Sequence, residues 1–196
     1  TLVKGTYIIS TATGFKAENI TFEASFNKYI TDEEIADGVE ETGILPARTY
    51  ALDVTSKAAT ERSTALIVEA DRSEFKNCTM IGSQDTLYMG DSTHTYYKNC
   101  KIEGNTDYIF GSGNAVFDGC ELRFCGYSDT GMGGYITAGR SNNKTDYVGY
   151  IFRDCTISNK DGMKHASGYF GRPWDAGADI AFINTVVENA DAISAE

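Results

Sequence analysis

The chain has 196 residues, of which 41% are apolar, 20 are glycine and only two are proline, with a formal net charge of −11. These values are typical of one globular domain with a sizeable core rather than a disordered chain. The negative charge argues against nucleic acid or an anionic membrane as a partner, and no apolar run approaches the roughly 20 residues of a membrane span.

The N-terminal third combines one strand-like segment with a long polar stretch. The segment "AENITF" at 17–22 has the form of a repeat that recurs further along. The best helix signal is "TDEEIADG" at 31–38, where Thr31 and Glu34 have the spacing of a capping box. It lies within residues 27–62, which we interpret as an inserted loop. No signal peptide is present, and because Thr1 is not a methionine we expect that a leader or more has been removed.

A six-residue pattern then repeats along the chain, as "FKNCTM" at 75, "YKNCKI" at 97, "FDGCEL" at 117, "FRDCTI" at 152 and a degenerate "FINTVV" at 182. The cysteines are separated by 22, 20 and 35 residues, and the longest interval has room for one coil plus an excursion. A period near 20 with alternating apolar positions predicts a solenoid of strands, a parallel β-helix. A leucine-rich repeat has a similar period, but its consensus is missing. The third residue of each copy is of a type that tolerates a left-handed backbone, which predicts a tight corner. These residues are Asn77, Asn99, Gly119, Asp154 and Asn184.

Because five is an odd number, the five cysteines cannot all form disulfides within the chain. With no C-x-x-C segment and two histidines, we expect no metal site and no cofactor. The repeat predicts instead that the cysteines stack inside the solenoid as a reduced ladder, about 4.8 Å from coil to coil. The rival interpretation is a disulfide between adjacent coils.

Two aspartates occupy equal positions in consecutive repeats. Asp85 in "GSQDTLYMG" lies seven residues after Cys78, and Asp107 in "GNTDYIFGS" lies seven after Cys100. Equal offsets predict neighbouring carboxylates on one face, where both cannot comfortably ionise, so that one serves as nucleophile and the other as general acid. The alternative is a pair of turn aspartates bonded to their own backbone.

The segment "YFGRPW" at 169–174 offers a partner for these acids. Arg172 is suited to pair with one carboxylate, and Trp174 offers a flat face to a sugar ring. Taken alone, the same segment is also compatible with a simple turn that carries an anchored aromatic.

In this order, "GSQDTLY", "TDYIFG", "YITAGR" and "YFGRPW" resemble the signature segments of the pectin methylesterases, over most of the chain from "AENITFE" to "FINTVVEN". The resemblance implies an all-β, right-handed single-stranded parallel β-helix, one domain over 1–196, that hydrolyses methyl esters of galacturonate units in pectin without a metal or cofactor. It implies Asp107 as the nucleophile, Asp85 as the general acid and base, Gln84 as a hydrogen-bond donor to the oxyanion, and Arg172 as the group that orients Asp107. The sugar groove would be lined by aromatic residues, which are Tyr88, Phe110 and Trp174.

The chain departs from the family pattern in two ways. Arg62 of "RSTAL" stands where the family has a glutamine. We expect Arg62 to bind substrate, and an arginine is also able to donate hydrogen bonds to an oxyanion, so the question whether it replaces the glutamine stays open here. "YITAGR" is one residue shorter than usual, and we interpret Arg140 as structural. The family's opening and closing segments have no counterpart here, so we expect a fragment of a longer solenoid.

Alternative functions stay open at this point. An esterase or thioesterase acting on a non-pectin acyl group would use the same acids, and an inactive carbohydrate-binding homologue would keep the groove alone. A serine esterase is disfavoured, since His94 and His165 have no G-x-S-x-G partner and suit surface or structural roles. The resemblance implies a monomer that is secreted or periplasmic, and the short loops and free cysteines favour a bacterial source.

Overall fold

The computed structural model describes residues 6–24, 64–125, 134–160, 168–189 and 192–194. Within these ranges the chain forms short β-strands and no α-helix, so none of their elements is a helix long and apolar enough to cross a membrane. The helix expected at 31–38 and the inserted loop expected at 27–62 lie outside the described residues, as do Arg62 and His165.

The described strands follow one another at short intervals. In chain order they are β1 (Tyr7–Ile9), β2 (Lys16–Glu18), β3 (Thr21–Glu23), β4 (Leu66–Val68), β5 (Ser73–Lys76), β6 (Thr79–Ile81), β7 (Leu87–Met89), β8 (His94–Lys98), β9 (Lys101–Gly104), β10 (Ile109–Gly111), β11 (Asn114–Asp118), β12 (Glu121–Phe124), β13 (Tyr135–Gly139), β14 (Tyr150–Arg153), β15 (Thr156–Asn159), β16 (Tyr169–Gly171), β17 (Ile180–Ile183) and β18 (Val186–Val187).

Each strand pairs in parallel with the strand three places further along the chain. The first sheet therefore runs β1-β4-β7-β10-β13-β16, the second β2-β5-β8-β11-β14-β17, and the third β3-β6-β9-β12-β15-β18. Every coil contributes one strand to each sheet, which is the parallel β-helix that the repeat predicted. The right hand is the one that the family resemblance implied and that parallel crossovers adopt as a rule. The 35-residue interval between Cys120 and Cys155 is a single enlarged coil, because β12 pairs directly with β15.

The predicted corners between the second and third sheets are confirmed. All five residues have a left-handed backbone, with φ of 52° at Asn77, 51° at Asn99, 63° at Gly119, 54° at Asp154 and 49° at Asn184. This conformation costs most side chains about 1–2 kcal/mol, whereas glycine, asparagine and aspartate adopt it readily. The residue types at the corners therefore allow the chain to change sheet within one or two residues.

The cysteines of the repeat are buried and free, as the ladder interpretation expected. The backbone N–H of Cys100 donates to Sγ of Cys120 at 3.4 Å, and the Cys120 thiol donates to the carbonyl of Tyr97 at 3.4 Å. The fifth, Cys125, is also buried, and burial raises the pKa of its thiol. The rival interpretation of an inter-coil disulfide is wrong.

An aromatic column stands beside the cysteines, built from the first residue of each repeat. Rings of adjacent coils stack with centroid separations of 5.0, 4.6, 4.6 and 4.5 Å along the series Phe75, Tyr97, Phe117, Phe152 and Phe182. Each such contact stabilises the fold by about 0.5–1.5 kcal/mol beyond the burial of apolar area. The column fixes the vertical register of the coils, and with it the turns that carry the site.

Candidate active site

Asp85 and Asp107 stand at equivalent positions, each two residues before the start of a strand, β7 and β10 respectively. Gln84 and Thr106 form a parallel bridge, and the N–H of Asp85 donates to the carbonyl of Thr106 at 3.1 Å. The 22-residue offset therefore continues unbroken through both aspartates. Both have a left-handed backbone, with φ of 61° and 51°, a conformation that aspartate adopts more readily than most residues.

Arg172 follows β16 and reaches back two coils to Asp107. Its Nε donates to Oδ1 of Asp107 at 2.8 Å, and its Nη2 donates to Oδ2 at 2.7 Å. The guanidinium also lies over the ring of Tyr135, 4.5 Å from the centroid, and the Arg172 backbone N–H donates to the carbonyl of Thr137. Two parallel charge-assisted hydrogen bonds fix the plane of the carboxylate, and they raise the pKa of Arg172.

A cleft of about 330 Å³ opens over these side chains. It is lined by Asp85, Asp107, Phe110, Ala138, Arg172, Pro173 and Trp174. The Phe110 and Trp174 rings lie 6.1 Å apart, and Trp174 is 50% exposed. The cleft therefore combines charged and aromatic side chains, a combination that suits a sugar ring carrying a reactive polar group.

Two further predicted residues are not among the side chains that line this cleft. Tyr88 packs against Phe110 with ring centroids 5.1 Å apart, and burial raises its pKa. Gln84 is 9% exposed and directly precedes Asp85. His94 lies away from the cleft, with Nδ1 3.0 Å from Asp71, in keeping with a structural role. The catalytic roles of these residues, and the division of protonation between the two acids, stay predictions.

The sequence argument missed several residues at the cleft. Tyr135 supports Arg172, while Ala138 and Pro173 line the cleft itself. Arg140, which the sequence interpretation named as structural, lies with its guanidinium carbon 4.8 Å from the centroid of the Trp174 ring. The repeat did not indicate these contacts, because β13 and β16, which are neighbours in the first sheet, do not follow its period of about 20 residues.

This arrangement is suited to nucleophilic attack on a carboxylic ester. One carboxylate is oriented by a bidentate arginine, and a second carboxyl group lies in the same cleft at the matching position of the next coil. A fixed carboxylate can form a covalent acyl intermediate, and a neighbouring acid can transfer the proton that the leaving group requires.

Comparison with known proteins shows that the chain is similar to pectinesterases. It is 37% identical over 129 residues to a probable pectinesterase A of Neosartorya fischeri, covering 65% of this chain and 38% of the relative. It is 32% identical over 174 residues to a probable pectinesterase/pectinesterase inhibitor of Arabidopsis thaliana, covering 81% and 28%. The chain thus spans about a third of the length of these curated relatives. They are fungal and plant proteins, which does not support the expected bacterial source.

Solved structures give the same answer for the fold. The deglycosylated pectin methylesterase of Aspergillus niger is 34% identical with a TM-score of 0.59, over 68% of this chain and 42% of that chain. The pectin methylesterase PemA of Erwinia chrysanthemi is 23% identical with a TM-score of 0.71, over 95% and 54%. The family model described as Pectinesterase matches residues 4–194. The chain belongs to the pectinesterase family.

Proposed function

We propose that this chain hydrolyses the methyl esters of galacturonate units in pectin and releases methanol. The observation that carries the proposal is the bidentate pair between Arg172 and Asp107. This pair lies in a cleft shared with Asp85 and Trp174, in a member of the pectinesterase family.

In the first half of the reaction, an oxygen of Asp107 attacks the ester carbonyl carbon. The bond from that carbon to the methoxy oxygen breaks, and Asp85 gives its proton to the departing oxygen, so that methanol leaves. The acyl group remains on Asp107 as a mixed anhydride. Gln84 donates a hydrogen bond to the oxyanion of the tetrahedral intermediate. Arg62, which lies outside the described residues, is proposed to bind substrate.

In the second half, water attacks the acyl carbon and Asp85, now a carboxylate, accepts the proton of that water. The bond to Asp107 breaks and returns its carboxylate to Arg172. The galacturonic acid product then loses its proton to solvent. Each acid therefore ends the cycle in its starting state, and no further co-reactant is consumed.

The substrate proposal also fits the charge of the protein. A net charge of −11 opposes the approach of a polyanion, but a methyl-esterified galacturonate is neutral where it binds. The aromatic wall of Phe110 and Trp174 offers the apolar faces on which sugar rings pack. We propose accordingly that the protein is a monomer that is secreted and acts on pectin of the cell wall.

The test is a substrate panel. Methanol release is measured from highly methylated pectin, and hydrolysis of p-nitrophenyl acetate and of an acyl thioester is measured alongside, with fully demethylated polygalacturonate as the blank. Methanol release from pectin at a rate well above hydrolysis of the small esters supports the proposal. Turnover of the small esters alone would identify an esterase or thioesterase of another specificity. Pectin binding without turnover would identify a carbohydrate-binding homologue.

A further inference from the structure

Four turns that follow successive strands of the first sheet carry a continuous line of contacts. Asp91 follows β7, Ser112 follows β10, Arg140 follows β13 and Trp174 lies after β16. The Ser112 hydroxyl donates to Oδ1 of Asp91, and Nη2 of Arg140 lies 3.4 Å from the same oxygen. The Arg140 guanidinium carbon is 4.8 Å from the centroid of the Trp174 ring. The line therefore connects the coil of Asp85 to Trp174, three coils further along.

The Arg140 guanidinium lies over the Trp174 ring, and one of its N–H groups makes no hydrogen bond within the described part of the chain in this orientation. Among the described residues its Nε is buried without a hydrogen-bond partner, although the side chain is 34% exposed. A guanidinium that lies over an indole face is attracted by the ring quadrupole, and Asp91 holds its far end. The Trp174 ring is thereby fixed between Arg140 and Phe110, and its backbone N–H donates to the carbonyl of Gly139 at 2.9 Å.

We propose that Arg140 is a positioning residue that holds the Trp174 ring as the wall of the cleft, with Asp91 and Ser112 as its anchor. Arg140 acts through Trp174 and does not touch the substrate. The consequence for pectin binding rests on the proposed function, whereas the consequence for the ring itself does not. A loosened ring weakens binding of the ground state and the transition state alike, so KM changes and kcat does not.

The chain contains a single tryptophan, so its fluorescence reports on Trp174 alone. Arg140→Met keeps a long side chain and removes the cation. We expect stronger quenching of the Trp174 fluorescence by acrylamide. We also expect a KM for pectin about 2- to 5-fold higher with kcat unchanged, because the free energy of a surface cation–π contact corresponds to a factor of this size. Arg140→Lys should restore part of both properties. The control is Arg153→Met, which removes an exposed arginine paired with Asp118 at the end of β14 and should leave both unchanged.

A double-mutant cycle separates positioning from direct contact. If Arg140 acts through Trp174, Arg140→Met adds nothing to the KM of Trp174→Ala. Additive effects on KM would overturn the proposal, because they would place Arg140 on the substrate. Circular dichroism verifies that each variant is folded. Asp91→Asn is the second variant: it keeps Arg140 but weakens its anchor, so we expect acrylamide quenching of Trp174 to increase as it does in Arg140→Met.

Unchanged acrylamide quenching in folded Arg140→Met would also overturn the proposal. This readout needs no turnover, so it decides the position of the ring even if the native chain releases no methanol from pectin. Failure of the proposed function and failure of the positioning role are therefore distinguishable.

Discussion

Arg172→Lys tests whether the geometry of the pair with Asp107, and not its charge alone, supports turnover. Arginine donates two parallel hydrogen bonds to the carboxylate, at 2.8 and 2.7 Å, whereas lysine keeps the charge but offers a compact ammonium group without the planar fork. The variant therefore loses at least one charge-assisted hydrogen bond and the fixed plane of the carboxylate.

The size of the effect follows from burial. A hydrogen bond to a charged group contributes about 1.5–3 kcal/mol, and the Asp107 side chain is 13% exposed while that of Arg172 is 48% exposed. One lost bond then lowers kcat/KM roughly 10- to 150-fold, since each 1.36 kcal/mol is a factor of ten. Solvent access to Arg172 places the expected value toward the lower end of this range.

The assay is methanol release from methylated pectin across a range of pectin concentrations, so that kcat and KM are obtained separately. The matched control is Arg153→Lys, because Arg153 also pairs with an aspartate, at 3.0 Å to Asp118, but lies outside the cleft. We expect the control to keep the native kcat/KM. A folded Arg172→Lys protein with kcat/KM within twofold of native would refute the reasoning that the bidentate geometry matters.

Three further predictions concern the scaffold. Asn99→Ala places at a corner a side chain that disfavours φ of 51°, and it should lower the free energy of unfolding by about 1–2 kcal/mol. Asn99→Gly should lower it by less, because glycine adopts positive φ readily. Equal losses for the two variants in urea titrations would contradict the assignment of Asn99 as a corner. All five cysteines are buried, so the folded chain should not react with Ellman's reagent, and five thiols should react after unfolding; a prompt reaction in the folded state would contradict the ladder. Burial raises the pKa of Glu121, but hydrogen bonds from Ser158 and Lys101 outweigh burial and hold that pKa below its usual range. The stability that Glu121 contributes is present above the unfolded-state pKa and is lost as pH falls through the lowered folded value. The difference in free energy of unfolding between the native chain and Glu121→Gln should therefore become smaller from about pH 6 to about pH 3. A difference that grows over this range would contradict a lowered pKa of Glu121.

The sequence was sufficient for the coil and its corners because both depend on local chemistry. Each repeat carries, in fixed order, an aromatic, a residue that tolerates positive φ, and a cysteine that is replaced by Thr185 in the fifth copy, so one copy predicts the others. The adjacency of Asp85 and Asp107 followed from the same counting, since no insertion separates their coils.

The contacts of the third and fourth turns could not be counted in this way. The coil between Cys120 and Cys155 is enlarged, so the sequence distance from Asp107 to Arg172, or from Asp91 to Arg140, does not give their register. Whether Arg140 meets the Trp174 ring depends on how the turns after β13 and β16 fold back over the first sheet. These contacts depend on tertiary packing, which the period of the repeat does not predict.

The most direct test of the central claim is methanol release by the native chain, by Asp107→Asn and by Asp154→Asn at matched folding. Both aspartates have a left-handed backbone that asparagine tolerates, with φ of 51° and 54°, so the two substitutions impose the same backbone demand. The account predicts release by the native chain and by Asp154→Asn, and none above background by Asp107→Asn. Release by folded Asp107→Asn at the native rate would contradict the assignment of Asp107 as the nucleophile.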